Sequence, residues 1–160
     1  VVEAALLLVR HQISLENIKL ELKLGKDLPP VFAGFDQIQQ VLINIILNAT
    51  QAMPEGGKLT VSTSIAKNVK VNESFKNTVR IDVTDTGVGI PKENLGKLFT
   101  PFFTTKEKGK GVGLGLPVVH GIIERHKGKI EVASELNKGT TFTIYLEAMD
   151  GKEDGNTRRR

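Results

Sequence analysis

Cysteine and tryptophan are both missing from these 160 residues, tyrosine occurs once, and no apolar run is long. Each absence removes a class of protein. Without cysteine there is no disulfide framework and no thiolate metal site, a composition that suits a reducing compartment. The longest apolar stretches, such as residues 41–47, fall far short of the roughly 20 residues that cross a bilayer as a helix. Scarce stacking aromatics argue against a nucleic-acid binder. So does the charge: the net value is +4, but Lys152 and Arg158–Arg160 against Glu153 and Asp154 put two of those four charges in the last ten residues.

What remains reads as one ordinary globular domain, 39% apolar and 25% charged. The first residue is valine and no signal peptide is visible, so the chain reads as a piece of something longer. The polar, aperiodic end (GKEDGNTRRR) is expected to lack fixed structure.

Periodicity supplies the elements. Residues 1–13 read as the end of a helix, and IKLELKL (18–24) alternates as a half-buried strand. Asp27–Pro30 is a turn and Val31–Ala33 a short extended piece. Residues 36–53 form the clearest helix, with Ile38, Val41, Leu42, Ile45, Ile46 and Ala49 at helical spacing and Asp36 as the expected N-cap. Strands are expected at 58–66 and 78–86, joined by a polar loop at 67–77. Residues 87–113, rich in glycine and lysine, show little period, which points to a functional segment or a linker. A second long helix is expected over Leu114–Lys127 with Gly128 as its stop, then a hairpin of strands at 129–134 and 140–147. This order predicts an α+β fold, a two-layer sandwich rather than a doubly wound sheet.

Three places hold the chemistry. Asn44 and Asn48 lie four apart on the first long helix, so they share a face otherwise filled with Ile and Leu. They are either surface amides flanking the core or, for Asn48, an oxygen ligand to a hard cation such as Mg²⁺, which takes few protein ligands. Asp85-Thr86-Gly87-Val88-Gly89-Ile90-Pro91 follows a strand; it suits either a tight turn or recognition of a ligand amino group by a carboxylate. Gly109–Leu116, with alternate glycines, opens the second long helix, where backbone N–H groups and lysines can hold an anion. It is neither a Walker A loop nor a dinucleotide fingerprint.

Taken in order, these segments resemble the ATP-binding domain of sensor histidine kinases, within the gyrase, Hsp90, MutL and histidine-kinase ATPase group. QVLINIILNATQAM is similar to the N box, DVTDTGVGIP to the G1 box, LFTPFFTTK to the F box and GKGVGLGLPVV to the G2 box. The likeness runs from about residue 15 to 147, and NATQAM resembles the nitrogen-regulation subgroup. It implies a Bergerat-type sandwich: a mixed, mainly antiparallel sheet of about five strands with about three helices on one face. Residues 1–14 would then be the end of a linker or dimerisation helix, 15–149 the ATP-binding catalytic domain and 150–160 a disordered tail.

The resemblance implies ATP and Mg²⁺ as the ligands. By position, Asp85 takes the adenine amino group, while Gly87, Gly89 and Ile90 bring backbone to the nucleotide. Asn48 ligates Mg²⁺, with Asn44 supporting the phosphate and metal. Lys106, with Lys108 or Lys110, neutralises phosphate charge. Gly111, Val112, Gly113, Leu114, Gly115 and Leu116 form the hinge and anion cradle. Phe99, Phe102 and Phe103 anchor the lid, and Thr141 on the closing strand adds a nucleotide contact. Asn44, Asn48 and Lys106 are the catalytic set. Three positions depart from the pattern: Gln51 stands at a phosphate-contact position where many members carry a basic or aromatic residue, Val112 where threonine is common, and Pro117 where a small residue is usual.

Asn44 also separates transfer from hydrolysis, because it matches a water-activating glutamate in the hydrolysing relatives and an amide takes no proton at neutral pH. The implied activity is therefore protein-histidine kinase, with the acceptor on an upstream dimerisation domain and a response regulator reached through it. His11 is followed by Gln12 rather than an acid, and His120 and His126 read as structural, so no acceptor lies in this chain. The implied setting is cytoplasmic, with no nucleic-acid partner: a monomeric fragment of a homodimeric parent. Two other readings use the same fold: a nucleotide-responsive interaction module without catalysis, and a serine kinase of the anti-sigma-factor type.

Overall fold

The structure, a computed structural model, describes residues 1–106, 113 and 115–149. Its elements are α1 (Val2–Leu15), β1 (Ile18–Leu24), α2 (Phe35–Gln51), β2 (Gly57–Val71), β3 (Ser74–Asp85), α3 (Lys92–Leu95), α4 (Gly115–Arg125), β4 (Lys129–Glu135) and β5 (Gly139–Glu147). One sheet runs β1-β2-β3-β5-β4. Only β1 and β2 are parallel, because α2 lies between them as the crossover a parallel pair needs. The other neighbours are antiparallel. The expected α+β sandwich is what forms.

Alternation decides the faces. Leu59, Val61, Ile81, Val83, Phe142 and Ile144 point inward, with Val83 paired to both Val61 and Phe142. α2 packs between α1 and α4 over this face. Its Leu42, Ile45 and Ile46 are wholly buried; each such side chain contributes about 1.5–3 kcal/mol. The opposite face is polar: Arg80 grips Asp82 by a two-pronged ion pair, and Thr143 donates to the same carboxylate at 2.6 Å. α1, expected as the end of a linker, buries Ala5, Leu6, Val9 and Ile13 in the same core cluster as α2.

Several local expectations change. Gly34, not Asp36, is the N-cap of α2; Asp36 sits in the first turn, where its charge suits the helix dipole. The polar stretch 67–77 is mostly strand, because β2 and β3 extend to a two-residue turn at Asn72–Glu73 with a bulge between Ala66 and Val69. Within this stretch Asn68 and Asn72 both have a left-handed φ of 54°, at the bulge and at the turn. At the end of α4 the left-handed residue is Lys127, while Gly128 donates to Ile123 O at 2.9 Å. Gly128 is needed for packing: a Cβ there would lie 2.7 Å from Tyr145 O. His126, read as structural, ties the end of α4 to the start of α2 through its ring nitrogens. Its Nε2 accepts the Gly34 N–H at 3.0 Å, so Nδ1 carries the proton toward Ile122 O at 2.8 Å.

Candidate functional site

The end of β3, the C-terminal end of α2 and the β4–β5 turn meet at one end of the sheet. Asp85, the last residue of β3, is 5% exposed. Its Oδ1 accepts the Gly87 N–H at 2.8 Å and the Thr140 N–H at 3.3 Å. Oδ2 has no partner among the described residues. Among the described residues Oδ2 is therefore left as the acceptor that the protein does not use. Burial raises the Asp85 pKa above the ordinary carboxylate value, and the two N–H bonds partly oppose it.

The loop after Asp85 is clamped from both sides. Val88 N donates to Ala52 O at 3.0 Å, and a Cβ on Gly87 would lie 2.4 Å from that oxygen. Across the loop, Asn137 N donates to Val88 O at 2.8 Å and Ile90 N to Ser134 Oγ at 2.8 Å. Gly89 holds φ +72°, and a Cβ there would lie 2.1 Å from Glu135 O. Glycine is the residue that meets both demands. On these sides the backbone that lies close to 87 and 89 is the protein's own, whereas the approach expected there was to a nucleotide.

Ser134, Gly139 and Thr140 enter the site unannounced by the sequence. Ser134 Oγ lies 2.8 Å from Thr140 Oγ1 and 3.0 Å from Gly139 O. Thr141, the residue expected to join the site, faces the other way and bonds Thr84 Oγ1 at 2.9 Å. The register explains it. Asp85 is paired with Thr140, so Thr140 shares the Asp85 face and Thr141 the polar outer face. Gly139 has φ +122° and approaches so closely that a Cβ would lie 1.9 Å from Asp85 O. Gly139→Ala is expected to cost about 2–4 kcal/mol of stability, read as the shift in urea midpoint; an unshifted midpoint would show that the turn relaxes freely.

The second part of the site lies on α2. Asn44 and Asn48 are half-buried and one turn apart, and Gln51 is exposed at the last turn. Lys106 reaches over from the segment after α3. Its Nζ donates to Asn48 Oδ1 at 3.4 Å and also to Gln51 Oε1. Lys106 is exposed as a residue, but partial burial of its ammonium lowers its pKa. Two amide oxygens thus already hold a cation, which is a fair test of the donor set for a hard metal. Among the described residues no group of three or more His, Asp or Glu could hold a metal alone.

The phenylalanines divide. Phe99 packs against the core with its ring 5.0 Å from that of His120, Phe103 is half-buried, and Phe102, expected as an anchor, is 74% exposed with φ 65°. It is turned out because its N–H bonds Gly113 O at 3.0 Å, and a Cβ on Gly113 would lie 2.5 Å from Phe102 C. Gly115 opens α4 and Leu116 packs on the core. Lys108, Lys110, Gly111, Val112 and Leu114 lie outside the described residues. No described helix is long and apolar enough to cross a membrane.

Comparison with known proteins agrees with this geometry. A family profile described as "Histidine kinase-, DNA gyrase B-, and HSP90-like ATPase" matches residues 34–150. Sensor kinase CckA of Brucella abortus (strain 2308) is 46% identical over 140 residues, covering 82% of this chain and 14% of its own length. Sensor histidine kinase ZraS of Escherichia coli (strain K12) is 41% identical over 150 residues, covering 94% of this chain and 30% of its own. The chain therefore spans less than a third of either relative. Among solved structures, the catalytic domain of histidine kinase ThkA superposes with TM-score 0.75 at 32% identity, covering 92% of this chain and 90% of that one.

Proposed function

Because the chain belongs to the histidine kinase-, DNA gyrase B- and HSP90-like ATPase family, we propose that it is the ATP-holding catalytic half of a sensor histidine kinase. Its product is phosphohistidine on a separate dimerisation domain of the same parent protein. The observation that carries the reading is the buried Asp85 carboxylate, with one oxygen spent on the protein and the other open.

That open oxygen accepts the adenine amino group, while the clamped loop at 86–90 forms the wall of the base pocket. Thr140, held by Ser134, takes the place beside Asp85 that Thr141 does not reach. At the phosphate end, Asn48 would hold the metal and Asn44 would steady the phosphates from one turn away. Lys106 supplies positive charge, and Gly113 and Gly115 bring the start of α4 close. Mg²⁺, when bound, neutralises charge on the phosphate oxygens.

Asn44 cannot take a proton, so the site activates no water through it. Positioning and charge neutralisation do the work of phosphoryl transfer. A neutral imidazole attacks in line: the new N–P bond forms, the bond from γ-phosphorus to the bridging oxygen breaks, and ADP leaves. The partners are the dimerisation domain and, through it, a response regulator. The parent acts as a homodimer with this domain in the cytoplasm.

The test mixes the chain with labelled ATP, Mg²⁺ and its separately expressed dimerisation domain. Acid-labile, base-stable phosphate on that domain is the expected result. Acid-stable phosphoserine, or tight ATP binding without transfer, would overturn the assignment.

A further inference from the structure

Lys106 contacts α2 where the sequence has no positive charge to offer. Over the last three turns of α2 the side chains include Asn44, Asn48 and Gln51 and not one cation. The ammonium that bridges the latter two comes from residue 106, 58 positions from Asn48 and 55 from Gln51. A lysine side chain loses rotamer freedom when it is held in this way, and the contact with two amide oxygens offsets that loss. Asn48 Oδ1 is also the oxygen assigned to the metal.

We infer that Lys106 is a resident counter-cation of the α2 amide pair, which a metal takes over only by displacing it. This rests on the nucleotide reading of the site. In this structure Lys106 holds Asn48 Oδ1 and Gln51 Oε1, the arrangement inferred for the chain before nucleotide binds. With nucleotide but no metal, the ammonium stays on the amides and lies next to the phosphates, serving as the site's own cation. With metal present it leaves Asn48 for the phosphate side. Lys106 therefore sets how strongly nucleotide binding depends on metal, and Gln51 tethers the lysine during the exchange.

Two measurements on this chain decide it. In the nucleotide-free protein, the side-chain amide resonances of Asn48 and Gln51 are compared in wild type, Lys106→Met and Lys106→Arg. Both amides are expected to shift in Lys106→Met and to shift less in Lys106→Arg; unmoved resonances in Lys106→Met overturn the inference. The dissociation constant for ATP is then measured with Mg²⁺ and with EDTA. In Lys106→Met the ratio of the EDTA value to the Mg²⁺ value is expected to rise roughly tenfold, because the cation that stands in for metal is lost in EDTA while metal no longer has to displace it from Asn48. Equal weakening in both buffers would make Lys106 a plain phosphate contact and also overturn the inference. A wild-type chain that binds ATP in neither buffer would sink the nucleotide reading itself, and the amide resonances would still decide the lysine contact.

Discussion

Asp85→Asn is expected to weaken ATP binding by roughly a hundredfold while leaving the nucleotide-free domain folded. Asn can keep the internal bonds, because its amide oxygen still accepts the Gly87 and Thr140 N–H groups that Oδ1 accepts now. What changes is the open position: a carboxylate oxygen becomes an NH₂ group aimed at the adenine NH₂, two donors facing each other. Titration calorimetry with ATP checks it, and an unchanged dissociation constant would place adenine elsewhere. Stability should move the other way. Burial raises the Asp85 pKa in the fold, so the carboxyl stabilises the native state only while protonated. That contribution is complete below the unfolded-state pKa and is lost as pH rises through the raised folded value. At neutral pH the ionised group is therefore a cost that Asn does not carry. The melting temperature of Asp85→Asn should equal or exceed that of wild type at pH 7, and the gap should close on acidification.

Asn48→Asp is expected to slow Mg²⁺-dependent transfer by about a hundredfold while ATP affinity falls less. A carboxylate at 48 would draw Lys106 into an ion pair, since its Nζ already lies 3.4 Å from the amide oxygen. It would also set a negative charge beside the phosphates. Single-turnover transfer to the separately expressed acceptor domain, across a Mg²⁺ series, separates the effects. Equal activity in the variant would remove Asn48 from the metal role. Full rescue at saturating ATP would show that only binding had suffered.

Where the side-chain pattern is local, the sequence was enough. The apolar face of α2 follows from Ile38, Val41, Leu42, Ile45, Ile46 and Ala49, all of which are buried. The Asp85-x-Gly87-x-Gly89 run marks a carboxylate at a strand end followed by backbone that must come close, and both glycines are closed in by neighbouring backbone. Boundaries were less legible at 67–77, where polarity suggested a loop, but a bulge and a two-residue turn with Asn68 and Asn72 in left-handed conformations let the hairpin run on. Aromatic residues misled as well. Phe99 and Phe102 look alike in sequence, yet the pairing of Phe102 N with Gly113 O turns the second one out into water.

By itself, then, the sequence determined most of the elements, the order of the boxes and the carboxylate at a strand end. Each depends on neighbours a few positions away: helical or alternating spacing, glycine where Cβ has no room, an amide where a base would stand. The tertiary structure decided which groups share the site. Thr140 rather than Thr141 lies beside Asp85 because the β3–β5 register pairs 85 with 140, and a strand shows alternate residues to opposite faces. Ser134 and Gly139 join through the β4–β5 turn. Lys106 meets Asn48 and Gln51 only when the chain between them has folded across the sheet. Such contacts are set by long-range packing, and no local periodicity encodes them.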